Sequence, residues 1–225
     1  MGKRDEARQQ TTAAILQAAR RAIVAEGGGA LSMRAVAREV GMVSSAIYRY
    51  FPTREALLTT LIVESYGHLD GALSEAASTT PSATWAELGR VLRDWAKQAP
   101  HEFQLIYGTP IPGYVAPPET IPAAAAVARH FLAIGANSAP EAFDSPELAR
   151  QLSPLIAGFP GARPAGAAAV LTELAALIGF VSLELAGHFV GTAEPADALF
   201  DALLRRQSAT LSAGAPTVAY PVITD

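Results

Sequence analysis

The stretch Gly41-Met42-Val43-Ser44-Ser45-Ala46-Ile47-Tyr48-Arg49-Tyr50-Phe51-Pro52-Thr53-Arg54-Glu55-Ala56-Leu57-Leu58 decides the fold. A glycine leads into an apolar residue and a run of small residues, then aromatic and basic side chains, and Pro52 stops the segment. Just upstream, Ser32 is suited to cap a short helix that ends at Gly41. Two short helices that cross steeply need a small residue at their contact and a glycine at the turn. Ala37 and Gly41 supply these, and Val36, Val40, Met42 and Ile47 fill the space between. This is the spacing of a helix-turn-helix, whose second helix, about 44–50, enters the major groove of DNA.

Outward from that segment the patterning is helical. Residues 11–26 carry Ile15, Ala18, Ala19, Ala22 and Ile23 on one stripe, and Gly27-Gly28-Gly29 provides the exit. The glycine triplet is no phosphate loop, because no strand precedes it and no Gly-Lys-Ser/Thr follows. Thr53 caps a longer helix that reaches Tyr66, and residues 78–82 form a junction. Further helices are predicted over about 85–99, 101–107, 122–136, 145–159, 164–190 and 196–212. The four prolines of 109–120 make that stretch irregular, and 214–225 reads as a loose tail. The expected fold is all-α, with about nine to ten helices: a three-helix head over 1–60 and a helical body over 61–225.

Half of the 225 residues are hydrophobic and only 17% are charged, a packed globular composition. There is no cysteine, hence no disulfide framework or thiolate metal site. His68, His101, His130 and His188 are scattered without ligand spacing, so no metal is expected. The polar, mixed-charge N-terminus does not read as a secretory leader. The most apolar stretch, 174–183, is shorter than the roughly 20 residues of a membrane span and reads as a buried interface helix. The chain is therefore expected to be cytoplasmic, with no membrane partner. Its net charge of −4 argues against nucleic acid, but the regional split reverses that. Residues 1–60 hold nine Lys/Arg and five Asp/Glu, and the remainder eight and sixteen. A basic head on an acidic body orients the head toward phosphate, although chance clustering is the plain alternative for so modest an excess.

Residues 10–62 closely resemble the signature of the TetR family of repressors. That signature is a glycine, an apolar and a small polar residue, then a Leu-Tyr pair, His-Phe, a short break, Lys-Glu and paired leucines. The resemblance implies a three-helix DNA-binding domain joined to a ligand-binding and dimerisation domain. It carries DNA contact onto Ser32, Arg34, Ser44, Ser45, Ala46, Tyr48, Arg49, Tyr50, Thr53 and Arg54. Ser44, Ser45 and Ala46 face base edges at close approach, and Arg49 reads a guanine or grips phosphate. Tyr48 matches the family tyrosine that bonds the backbone, and Tyr50 replaces the usual histidine. Arg54 matches the family lysine at a helix start, where an anion is favoured. Each has a plainer alternative: Tyr48 as core, Arg49 as solvated charge, Arg54 as a helix-end charge. Val43 departs from the family, which prefers Ser or Thr as cap of the recognition helix. Ser44 taking that role would move the helix start by one residue. Lys3, Arg4 and Arg8 precede the expected first helix, either as a minor-groove arm or as loose chain.

The segment from Trp95 through His101 to Tyr114, with Leu185-Ala186-Gly187-His188-Phe189, resembles the family's WHG-type C-terminal domain. By that resemblance a homodimer forms through about 164–190 and 196–212 and binds double-stranded DNA at a palindromic operator. A small-molecule effector, hydrophobic or amphipathic, releases it. Trp95, Phe103, Tyr107, Phe131, Phe180 and Glu184 are the candidate pocket residues, with core packing the alternative for each. No catalytic motif is present, so neither an enzyme nor a cofactor is expected. A sequence-independent nucleoid protein is the other binding class, disfavoured by the acidic net charge. Activation in place of repression stays open.

Overall fold

The computed structural model describes residues 2–79 and 83–212. Within them it is all-α, with ten α-helices and no strand. They are α1 (Lys3–Glu26), α2 (Met33–Glu39), α3 (Ser44–Ile47), α4 (Arg54–Thr79), α5 (Trp85–Gln98), α6 (Pro100–Tyr107), α7 (Ile121–Gly135), α8 (Pro146–Ile156), α9 (Pro164–Leu185) and α10 (Asp197–Ser212). The chain divides into two compact units. The first runs to Gly71 and includes Trp95–Ala126; the second holds Ala72–Asp94 and the chain from Val127 onward.

The first unit is built on a dry floor. Ile15, Ala18, Ala19, Val36, Ala37, Ile47, Leu57 and Leu58 are completely buried and pack α1, α2, α3 and the start of α4 together. Ser32 caps α2 by accepting from the Ala35 amide at 3.4 Å. Gly41 takes φ +70°, a left-handed conformation that side chains rarely adopt, and so permits the sharp turn. The Met42 amide then closes back on the Ala37 carbonyl at 2.8 Å.

Two features of this unit differ from the sequence reading. First, α1 begins at Lys3, not near Thr11, so Lys3, Arg4 and Arg8 are helical rather than an extended arm or loose chain. Residues 3–10 are good helix formers without an apolar stripe, so the periodicity is silent there. Second, α4 continues past Tyr66, through Gly67 and Gly71, to Thr79. The predicted junction at 78–82 thus begins inside a helix, and residues 80–82 lie outside the described residues.

The irregular segment after α6 also belongs to this unit. Leu105, Ile111 and Tyr114 pack against its core. A Cβ added at Gly28 would stand 2.9 Å from Ile111 Cδ1, so the glycine makes room for that side chain. The Tyr114 and Thr59 hydroxyls lie 3.0 Å apart. An Arg20–Glu64 ion pair ties α1 to α4, and His68 Nδ1 lies 2.7 Å from Glu102 Oε2, linking α4 to α6.

The second unit centres on α9, whose first turns (Ala165 through Val170) are wholly buried. Gly166 allows this: a Cβ there would fall 2.4 Å from the Ala136 carbonyl oxygen. Buried polar side chains here are paired. Gln207, completely buried, accepts from Trp85 Nε1 at 2.8 Å and donates to the Glu173 carbonyl at 2.7 Å, joining α5, α9 and α10. Arg93 donates to both Glu184 oxygens at 2.7 and 2.5 Å, pairs with Asp197 at 2.7 Å, and lies over the Phe200 ring at 4.6 Å. Its acid dissociation is pushed far up by the hydrogen bond to Glu184, against the opposing pull of burial. α9 stops at Leu185, ahead of Gly187 with φ +77°, and not at Val190. By length and hydropathy alone, α9 matches a membrane span, which the shorter run 174–183 did not; half of its most apolar window is buried inside the protein. The predicted tail, 214–225, lies outside the described residues.

Candidate DNA interface

The recognition element is one turn of helix followed by a tight turn. Val43 stands at the N-cap of α3 with extended backbone and no side-chain bond, and Ser44 is the first helical residue. The helix start is therefore not shifted, and α3 simply lacks a side-chain cap. From that start the side chains sort by direction. Ser44 and Ser45 are exposed, whereas Ala46 and Ile47 are buried. Ala46 does not face base edges as expected: three consecutive helical residues sweep about 200°, so a helix lying on a core turns one of them inward. Tyr48, at 46% exposure, and Arg49 then project into solvent, ruling out Tyr48 as core. Val43, 71% exposed, presents bare methyl groups at the head of this face.

The flanking positions differ in what their side chains already do. Arg34 is exposed, as is Ser32, whose hydroxyl oxygen is engaged as the cap of α2. Thr53 is exposed, and its hydroxyl accepts from the Ala56 amide at 3.0 Å, capping α4. Tyr50 is half-buried, with the Arg8 guanidinium over its ring at 5.6 Å. Arg54 is the exception to the expected phosphate role. Its Nε donates to the Leu31 carbonyl at 2.9 Å, and one terminal nitrogen donates to the Gly28 and Gly29 carbonyls at 2.9 Å. The guanidinium staples the exit of α1 to the start of α4, and this use leaves it little freedom to reach DNA.

The six candidate pocket residues are divided between the two units. Trp95, Phe103 and Tyr107 lie in the first unit as a chain of tilted rings, 6.5 and 5.4 Å between centroids. Tyr66, which the sequence reading missed, meets Tyr107 edge-on at 6.1 Å. Burial raises the acid dissociation of both tyrosines above the usual phenol value, most for Tyr107. In the second unit Phe131 is completely buried against Trp85 at 5.2 Å, a core contact. Phe180 packs on Phe189 and Phe200, at 4.8 and 5.2 Å. Glu184 holds Arg93. Arg93 was also missed; its signal was a cation next to Leu92 on the inward stripe of α5. Among the described residues no cluster of three metal-ligating side chains occurs.

Comparison with known proteins agrees with this architecture. Residues 15–61 match the family described as bacterial regulatory proteins, tetR family, and residues 85–207 match the tetracyclin repressor-like C-terminal domain. The HTH-type transcriptional regulator Rv1816 of Mycobacterium tuberculosis is 42% identical over 123 residues. That alignment covers 53% of this chain and 53% of the relative, so the chain spans about half the length of the curated relatives it matches. The crystal structure of SCO4313, described as a regulatory protein, superposes with a TM-score of 0.78 at 33% identity, over 92% of this chain and 98% of that one. The TetR family regulator PfmR from Thermus thermophilus shares the fold at 18% identity, with a TM-score of 0.52 over 85% of this chain and 97% of that one. With one family model spanning more than half of the sequence and a second covering the helix-turn-helix, this chain belongs to the TetR family of DNA-binding transcriptional regulators.

Proposed function

We propose that the chain is a ligand-responsive repressor that binds a palindromic operator as a homodimer and is released by a small hydrophobic or amphipathic effector. The observation that carries this reading is the division of α3 and its following turn into two faces. Ala46 and Ile47 anchor it to the core, while Ser44, Ser45, Tyr48 and Arg49 stand in solvent. Short hydroxyls allow close approach to base edges, Arg49 reads guanine or holds phosphate, and Tyr48 donates to the backbone. Ser32, Arg34, Tyr50 and Thr53 flank this face and set its register.

One such element reads few base pairs, and two copies with half-sites about 34–36 Å apart give the specificity a regulator needs. Support for the dimer comes from α9, where Leu171, Ala175 and Leu183 are exposed along one apolar row. Gly179, with nothing within 4 Å of its Cβ position, leaves that row open to a second helix. Support for an apolar effector comes from the rings of Tyr66, Trp95, Phe103 and Tyr107, clustered beside the α4–α6 contact. An effector that prefers the conformation with the wrong half-site spacing lowers operator affinity by its differential affinity for the two states.

Selection of bound DNA from a random library tests the reading. The expected product is a short palindrome bound by a dimer. Tyr48→Ala or Arg49→Ala should weaken binding to it by about 10- to 100-fold, at unchanged thermal stability. Recovery of no preferred sequence, or tight binding by a monomer, would overturn it. Compounds that raise the melting temperature are then screened for release of that complex.

A further inference from the structure

The first turns of α1 and the turn after α3 enclose an open groove of about 660 Å³, lined by Arg4, Asp5, Arg8, Thr11, Arg49 and Tyr50. Three guanidinium-bearing side chains converge there against one carboxylate, and an Asp5 oxygen accepts from the Gly2 amide at 3.3 Å. Neither Arg4 nor Arg49 has a carboxylate partner among the described residues, and Arg8 lies over the Tyr50 ring. Elsewhere in this unit Arg20, Arg21 and Arg54 are taken up by Glu64, Glu39 and backbone carbonyls. Like charges gathered in one groove repel one another, and an anion in the groove removes that cost. The α1 wall is a single helical face, since residues 4, 8 and 11 recur at helix spacing.

We propose that this groove is a phosphate cradle that takes the DNA backbone flanking the bases met by α3. The proposal rests on the DNA-binding reading above and extends its footprint to α1. The occupant follows from continuity, because Arg49 and Tyr50 belong both to the groove and to the segment that leaves α3. Contacts of Arg4 and Arg8 to phosphate contribute affinity and register and not sequence preference.

The test is a salt titration of operator binding by fluorescence anisotropy, comparing the wild-type chain, Arg4→Gln/Arg8→Gln, and Arg129→Gln on α7 as a control. Circular dichroism verifies that each is folded. The double variant should flatten the slope of log K against log salt by about 0.9 for each phosphate it no longer neutralises, roughly 2 per subunit. Its ranking of operator sequences should be unchanged, and Arg129→Gln should match wild type. Methylphosphonates placed singly beyond the half-site should narrow the difference between wild type and double variant at one or two positions. A folded double variant with the wild-type slope overturns the proposal while leaving DNA binding intact. So does a groove that takes up inorganic phosphate, seen by NMR of the full chain, without any change in the DNA slope. A wild-type chain that selects no DNA overturns both readings together.

Discussion

The two units differ in the arginines they leave without an ion pair and those they bury. In the first, Arg4, Arg34 and Arg49 reach solvent with no ion-pair partner among the described residues, while the apolar undersides of α2 and α3 fix the backbone beneath. In the second, Arg93 is shielded by Glu184, Asp197 and the Phe200 ring, and Arg206 reaches the buried Glu173. A charge held ready for an external anion must stay hydrated and unpaired, whereas one that joins helices inside a unit must be neutralised where it sits. The difference teaches that the first unit keeps some arginines without an ion-pair partner beside others, Arg20, Arg21 and Arg54, that tie its helices, and that the proposed binding role falls on the former. Substitutions should therefore separate into those that move affinity and those that move stability.

The sharpest division comes from Arg93→Met, which removes a buried cation from Glu184, Asp197 and the Phe200 ring. It should destabilise the protein by about 3–5 kcal/mol, read by urea denaturation. A cost within the ordinary range of a surface ion pair, about 0–1 kcal/mol, would break the contrast between units. Arg54 is the mixed case, a first-unit arginine that acts as an internal staple. Arg54→Lys, which keeps the charge but gives up the planar fork, should lower stability by about 2–3 kcal/mol. If instead only DNA affinity falls, Arg54 belongs with Arg49 and the staple is incidental.

Tyr107 offers a comparison by pH. Its phenol dissociates at higher pH in the folded chain than in the unfolded one, because burial opposes the charge. The folded state then holds its proton where the unfolded state has released it, so stability is complete below about pH 10 and declines as pH rises beyond that value. The decline approaches about 1.4 kcal/mol per pH unit for one such group. Tyr107→Phe should flatten that alkaline decline in thermal melts taken from about pH 9 to 11. An unchanged slope would show that Tyr107 does not carry it. The smallest expected change is a gain. Val43→Ser adds the side-chain cap that α3 lacks, and should raise stability by about 1 kcal/mol in the same denaturation assay.

Much of the first unit was legible because its geometry rests on residue types with one structural use. Gly41 at positive φ, Ala37 at a helix crossing and Pro52 after the turn each exclude alternatives. What was misread there lay where sequence carries no periodic signal. The polar start of α1 had no stripe to betray it, and two glycines hid the length of α4. Ala46 was assigned from its place in a motif, although helix geometry separates it from Ser44 by about 200°. The pocket was illegible for a different reason. Phe131 and Phe103 are aromatic residues at helical spacing, and nothing in such spacing tells a ring that meets a ligand from one that meets Trp85 or Tyr107. Arg54 shows the limit of resemblance: a basic residue at a matching position, with its hydrogen bonds given to three carbonyls.

The seat that Gly28 provides for Ile111 constrains any exchange of parts between regulators. A head excised after residue 60 and fused to a foreign body would keep the socket and forfeit the plug, together with the Tyr114 hydroxyl that meets Thr59. A transplant that respects this fold must carry the proline-rich strap across with the reading helix, and its junctions belong where the chain crosses the bounds of the compact unit: after Gly71, before Trp95 and after Ala126.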